Sequence, residues 1–258
     1  MASRKYQRKA SSNFGAPYLR RIGSDPGRMG GSHFPFDIPA FGAGIALDLP
    51  TPVTFFVGEN GSGKSTLLEA LAEICGFNPE GGSRDHHREA REDRSALAQA
   101  LKLSWLPKVS DGFFMRAESF YNFASYLDGV SDFTAYGGRS LHHQSHGESF
   151  LALFQNRFEQ GLYILDEPEA ALSPQRQLAF LRIIHQLATP RHAQFLIATH
   201  SPILLAYPGA TLYQFAQDGI REVAYRDTDH YLVTKAFLNE PERTLQYLFS
   251  EDDEDADA

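Results

Sequence analysis

Two periods of apolar residues alternate along this chain. Val53-Thr54-Phe55-Phe56-Val57 is a β-prone run with no polar face, the pattern of a strand buried on both sides. Leu67, Leu68, Leu71 and Ile74 then recur at helical spacing. The same unit returns downstream. Residues 112–116 and 161–165 read as buried strands, and the second is followed by Ser173-Pro174, a hydroxyl N-cap with proline at the first helical position. The core face predicted for that helix is Leu178, Leu181, Ile183 or Ile184, and Leu187. Residues 193–198 form the next strand, and 211–215 with 220–225 suggest a hairpin around Asp218-Gly219. Short strands are predicted at 18–22 and 44–49, and a helix plus strand within 95–106. Further helices are predicted from near Ser119 and from Ser145, the latter facing inward with Phe150, Leu151, Phe154 and Phe158. Helices finish the chain. Alternating strands and helices predict an α/β fold with a mostly parallel sheet, its ligand at the strand ends.

The polar stretches refine this picture. Residues 23–41 are rich in Gly and Pro and read as a loop, and 77–94 as an exposed connection. No apolar run approaches the ~20 residues of a membrane span, and the N-terminal arm lacks the apolar segment of a secretory signal. Cys75 is the only cysteine. An internal disulfide is thereby excluded, and a reducing cytoplasm is the expected location. Cys75 is expected to pack at the end of a helix closed by Gly76. Of the net charge of −8, the last eight residues carry −6, and the first 21 hold six basic residues and no acid. The stretch 251–258 is expected to be a disordered acidic tail. The basic arm is read as solvated, since no aromatic-plus-basic pattern elsewhere supports nucleic-acid binding.

Between the first buried strand and its helix lie Gly58, Glu59, Asn60, Gly61, Ser62, Gly63, Lys64, Ser65 and Thr66, which complete G-x-x-x-x-G-K-[ST]. Glycines let the backbone turn tightly, so that successive N–H groups and a helix N-terminus face one anion. Lys64 then reaches the β- and γ-phosphates, and the Ser65 hydroxyl ligates Mg²⁺. A bare Gly/Ser surface loop would not need the flanking strand and helix. The expected ligand is a nucleoside triphosphate.

Asp166-Glu167 follows four apolar residues at a strand end. Asp166 is placed to hold Mg²⁺, and Glu167 to orient or deprotonate an attacking water. Asp-Glu-Pro alone could be a polar turn; with Lys64 in the same chain the catalytic reading prevails. Ser145-His146-Gly147-Glu148 is a capping box, and a capped helix start with a serine and a glycine is also an anion site. His200 ends a strand in Ala198-Thr199-His200-Ser201-Pro202, where an imidazole can contact a γ-phosphate. His86-His87 and His142-His143-His146 show no metal-ligand spacing and read as surface residues.

The order of these motifs resembles that of ABC-type ATPases over residues 53–208. Asp166-Glu167-Pro168-Glu169-Ala170-Ala171-Leu172-Ser173-Pro174 and the Ala-Thr-His-Ser-Pro run resemble the transporter-free ABC/AAA-type predicted ATPases of bacteria, relatives of SMC and DNA-repair ATPases. The resemblance implies one ABC-type ATPase domain over 1–250, with N-terminal β strands and a small helical subdomain at about 77–150. It implies that 58–66 is Walker A, 162–166 Walker B, Glu167 the catalytic carboxylate, 170–173 the D-loop and His200 the switch histidine. Ser145 and Gly147 would form the signature motif that meets the γ-phosphate of an opposite subunit, giving an ATP-sandwiched homodimer. The sequence departs from the family at His146, where the signature has glycine, and at the Q-loop, for which Glu118 is the candidate. No heptad run lies between Walker A and the signature, which argues against an SMC-like rod. The short stretch after His200 leaves no room for an appended nuclease domain.

The expected function is ATP binding and Mg²⁺-dependent hydrolysis by an ATP-gated homodimer acting on an unidentified partner. Two alternatives stand: a nucleotide-gated binding module with negligible turnover, and the nucleotide-binding subunit of an ABC transporter.

Overall fold

The computed structural model describes residues 15–78, 95–116, 151, 154 and 160–254. Ser145, Gly147, Glu118 and the histidines at 86, 87, 142, 143 and 146 lie outside the described residues, as do the helix starts near Ser119 and Ser145.

Six strands form the main sheet in the order β5-β6-β7-β3-β8-β9. They are β3 (Val53–Val57), β5 (Gly112–Arg116), β6 (Gly161–Asp166), β7 (Ala193–Ala198), β8 (Thr211–Ala216) and β9 (Gly219–Glu222). All neighbours are parallel except β8 and β9, which form the expected antiparallel hairpin. β3, β6 and β7 are buried at every residue, as parallel strands covered on both faces must be. One face carries Phe55, Phe113, Tyr163, Phe195 and Phe180; the other carries Phe56, Phe114, Ile164, Leu196 and Leu68. Phe154 is buried, and its ring meets that of Phe180 edge-on at 4.9 Å.

A second sheet joins β1 (Leu19–Ser24), β2 (Ala46–Asp48) and β4 (Leu101–Trp105) in the antiparallel order β2-β1-β4. Fully buried Gln194 of β7 ties it to the main sheet. Its Oε1 accepts from the N–H groups of Tyr18 and Leu19, both at 2.8 Å, and its Nε2 donates to Leu19 O.

Helix α1 (Lys64–Cys75) follows β3 and ends at Gly76, whose left-handed backbone lets its N–H reach the carbonyls of Ala72 and Glu73. Cys75 is buried there, as expected. Short α2 (Ala96–Ala100) leads into β4, α3 (Pro174–Ala188) joins β6 to β7, and α4 (Pro202–Leu205) follows β7. The core face of α3 keeps Ile183, Ile184 and the partly buried Leu181 and Leu187 of the expected face, but not Leu178. Gln177, Phe180, Ile183, Ile184 and Ala188 are buried, and Leu178 is 58 % exposed. Gln177 takes the inward position because it is fully used: its Nε2 donates to Leu172 O, and its Oε1 accepts from Ser201 Oγ. The strand expected over 220–225 also ends early, because Tyr225–Asp227 forms a 3-10 turn and Thr228 caps the next helix. That helix is α5 (Asp229–Asn239), followed by α6 (Pro241–Glu254), which includes the first residues of the acidic terminal run.

Candidate active site

Strand register assembles the site. Arg116 of β5 pairs with Asp166 of β6, Asp166 with Ala198 of β7, and Ala198 with Phe56 of β3. Four carboxyl-terminal strand ends therefore lie in one row, and the next residues of three of them are the phosphate loop, Glu167 and Thr199-His200. The chain crosses over at β3, between β7 and β8, the position where open α/β sheets bind ligands.

The loop itself needs its glycines. Gly63 precedes α1 with φ 102°, and a Cβ there would come within 2.9 Å of the Phe41 ring. Gly58 has φ 147°, and its Cβ would sit 2.6 Å from Phe215 O. Lys64 is nearly buried, and its Nζ donates to Gly58 O at 2.7 Å and Glu59 O at 2.9 Å. Burial pushes its pKa down, and the nearby carboxylates of Glu167, Asp166, Glu59 and Glu169 oppose that shift. Beside the loop opens a cleft of about 370 Å³, bounded by Phe34, Ile38 and Pro39 on one side and by Lys64, Ser65 and Glu167 on the other. Phe34 is 67 % exposed, so an aromatic face is available at its rim.

Asp166 is 5 % exposed. Its Oδ1 accepts from Ser65 Oγ at 3.1 Å and its Oδ2 from Arg116 Nε at 3.2 Å. Arg116 also pairs with Glu69 at 2.7 Å. Burial raises the pKa of Asp166, with Ser65 and Arg116 acting in the other direction. Ser65 Oγ and Asp166 Oδ1 form adjacent hard-oxygen donors beside the cleft that Ser65 lines, while Arg116 bonds the other carboxylate oxygen. This donor set suits Mg²⁺, which needs one or two protein oxygens and completes its shell with water and phosphate. A triphosphate also fits: Ser62 Oγ is shielded from solvent with no hydrogen-bond partner among the described residues, and the first N–H groups of α1 have no helical acceptor.

Glu167 has φ 50° and ψ 51°, a left-handed conformation unusual for a residue with a side chain. Its N–H donates to Ala198 O at 2.9 Å, which holds the turn against β7. Strain of this kind collects where side chains must be aimed. Glu167 Oε1 lies 3.5 Å from His200 Nε2, and that nitrogen is buried without a hydrogen bond among the described residues.

Three residues with no part in the expected site lie in contact with its members. Glu169, half-buried, accepts the His200 N–H at 2.6 Å, and burial raises its pKa. His230, on the first turn of α5, places its Nε2 2.8 Å from His200 Nδ1. Arg116 was legible only as a strand end. Glu169 could have been suspected as a second carboxylate after Asp-Glu-Pro, but nothing local marks His230, 30 residues beyond its partner.

Comparison with known proteins finds partial similarities. A family model described as "AAA domain" matches residues 38–103, and one described as "AAA domain, putative AbiEii toxin, Type IV TA system" matches residues 148–206. Zinc import ATP-binding protein ZnuC of Mannheimia succiniciproducens is 26% identical over 170 residues, covering 62% of this chain and 63% of that protein. The chain thus spans less than two thirds of that relative's length. Among solved structures, the SMC head domain from Thermotoga maritima aligns at 15% identity, covering 80% of this chain and 98% of that one, with a TM-score of 0.46. The ADP conformation of MJ1267, an ATP-binding cassette of an ABC transporter, aligns at 17% identity over 90% of this chain and 99% of that one, also with a TM-score of 0.46. The phosphate loop, the Asp166 strand and the AAA-domain matches are together similar to those of P-loop ATPases of the ABC/AAA type. Among the described residues no helix is long and apolar enough to cross a membrane.

Proposed function

We propose that this chain binds ATP with Mg²⁺ in the loop-side cleft and hydrolyses it in the cytoplasm, as a homodimer that closes on ATP and opens on turnover. The alignment of the phosphate loop, Asp166-Glu167 and His200 along one sheet edge carries the reading. Lys64 and the loop N–H groups hold the phosphates; Phe34 offers its ring to the base. Ser65 and Asp166 hold Mg²⁺, which when bound neutralises phosphate charge. Glu167 accepts the proton of the attacking water, and His200 contacts the γ-phosphate through Nε2. The dimer rests on the order of motifs, in which Ser145 and Gly147 complete the site of the opposite subunit.

ATP turnover per subunit, measured with Mg²⁺ against protein concentration, tests the whole reading. Turnover should rise steeply with concentration. Glu167→Gln should keep ATP binding and lose about 10²- to 10⁴-fold in kcat, the usual contribution of a general base. A variant as fast as wild type would remove Glu167 from that role. Tight binding without turnover would favour a nucleotide-gated binding module. A further reading, the nucleotide-binding subunit of a transporter, is favoured by the zinc-import relative and predicts copurification with a membrane protein.

A further inference from the structure

His200 is built into the site through both of its ring nitrogens. Nε2 faces Glu167 Oε1 at 3.5 Å, and Nδ1 meets His230 Nε2 at 2.8 Å. The two rings are 5.0 Å apart and inclined by 48°. A neutral imidazole carries one N–H, so the bond between two neutral rings holds one proton and fixes a tautomer on each side. Burial keeps both rings below the ordinary imidazole pKa, and Lys64 acts in the same direction on each.

Two arrangements are open to the pair. If His200 donated from Nδ1, its Nε2 lone pair would face the Glu167 carboxylate and any phosphate in the cleft, which is repulsive. If His230 donates from Nε2, His200 keeps its proton on Nε2 and presents a donor to both anions. The second is favoured by Coulombic attraction across a poorly solvated gap.

His230 is itself held in place. Thr228, with no exposed surface, accepts from Tyr231 N–H and donates to Tyr225 O. Asp229 Oδ2 accepts from Gln214 of β8 at 3.2 Å, and Gln214 pairs in register with Val57, the last residue before the phosphate loop. The first turn of α5 is thereby fixed relative to that loop.

We propose that His230 is a positioning residue for ATP hydrolysis: by donating from Nε2 to His200 Nδ1 it holds His200 in the Nε2–H tautomer that faces Glu167 and the γ-phosphate. The kinetic part rests on the reading of His200 given above; the tautomer does not. The placement also joins the C-terminal helices to the nucleotide, since movement of the first turn of α5 breaks this bond.

The tautomers can be read directly in the nucleotide-free, ¹⁵N-labelled full chain from long-range ¹H–¹⁵N imidazole spectra, with His200→Gln and His230→Gln assigning the signals. His200 and His230 should both be protonated on Nε2, and His230→Leu should shift His200 toward a mixture. His200 protonated mainly on Nδ1 in the wild type would overturn the proposal, even if every variant failed to fold. In turnover assays, His230→Leu should lower kcat about tenfold at unchanged ATP KM, a typical cost of misorienting a catalytic group. His230→Gln, which retains an N–H donor, should recover most of it, and His230→Leu should cost nothing further in a His200→Ala background. Normal kcat in folded His230→Leu, or losses that simply add, would overturn the positioning role. A wild type without turnover would remove the ATPase reading instead, leaving the tautomer spectra to decide the pair.

Discussion

Every residue of β3, β6 and β7 is buried, whereas α5 has no buried residue although it carries Leu232, Val233, Phe237 and Leu238. Val233 is 68 % and Leu238 70 % exposed, and Leu248 and Phe249 of α6 are also open to solvent. Both regions are rich in apolar side chains, so composition does not separate them. Their neighbours do. A parallel strand inside the sheet is flanked by ladders on both sides and by helices on both faces, so its whole surface leaves water. The α5–α6 pair is held chiefly through its first turn, where Thr228, Asp229 and His230 make directed hydrogen bonds. The sheet stabilises by area, and the helix pair is attached by a few polar contacts placed beside the chemistry.

That contrast can be broken at several points. Phe195→Ala should have the largest effect on folding, costing about 3–5 kcal/mol, because its ring lies at the centre of the sheet with no exposed surface. Urea unfolding measures this, and a loss under 1 kcal/mol would contradict the packing described. Lys64→Ala should weaken ATP binding about a hundredfold by removing a charge-assisted contact. Calorimetric titration reads that, and unchanged affinity would displace Lys64 from the phosphates.

Acidification sharpens the comparison at the junction of the two regions. Burial depresses the pKa of His200 and His230 below 6.5. As pH falls through 6.5 the unfolded chain takes up these protons first. Their contribution to stability is therefore whole above 6.5 and is lost as pH falls toward the folded values. Asp166 and Glu169, raised by burial, run the opposite way: their cost is full above their folded pKa and is relieved on acidification. A His200→Gln, His230→Gln double variant leaves the carboxyls in place, so its melting temperature should fall less between pH 7 and 5 than that of wild type. A steeper fall would refute the assignment. The smallest effect is expected at Leu238→Ser, within about 0.5 kcal/mol in the same urea assay, as for most exposed positions. A loss of several kcal/mol would mean that α5 is buried in solution.

The parallel sheet was legible because its strands are mostly apolar, and β3, β6 and β7 run into the phosphate loop, Asp166-Glu167 and Thr199-His200. β5 and β7 have the expected bounds, and β6 extends the expected strand by one residue, to Asp166. Leu178 misled because helical period alone gives a face only to within about one residue's rotation. Gln177 took the inward place once Leu172 O and Ser201 Oγ were there to bond it.

The sequence by itself determined the alternation of strands and helices, the phosphate loop and the carboxylate and histidine at strand ends, since these depend on local period, glycine conformation and side-chain chemistry. Only the tertiary structure decided that Arg116 shares Asp166 with Ser65, that Glu169 holds the His200 backbone, and that His230 meets the His200 ring. These contacts come from strand register and from the placement of the first turn of α5, which bonds Gln214 of β8. Side chains distant along the chain become neighbours there because pairing the backbone leaves them no other place to point.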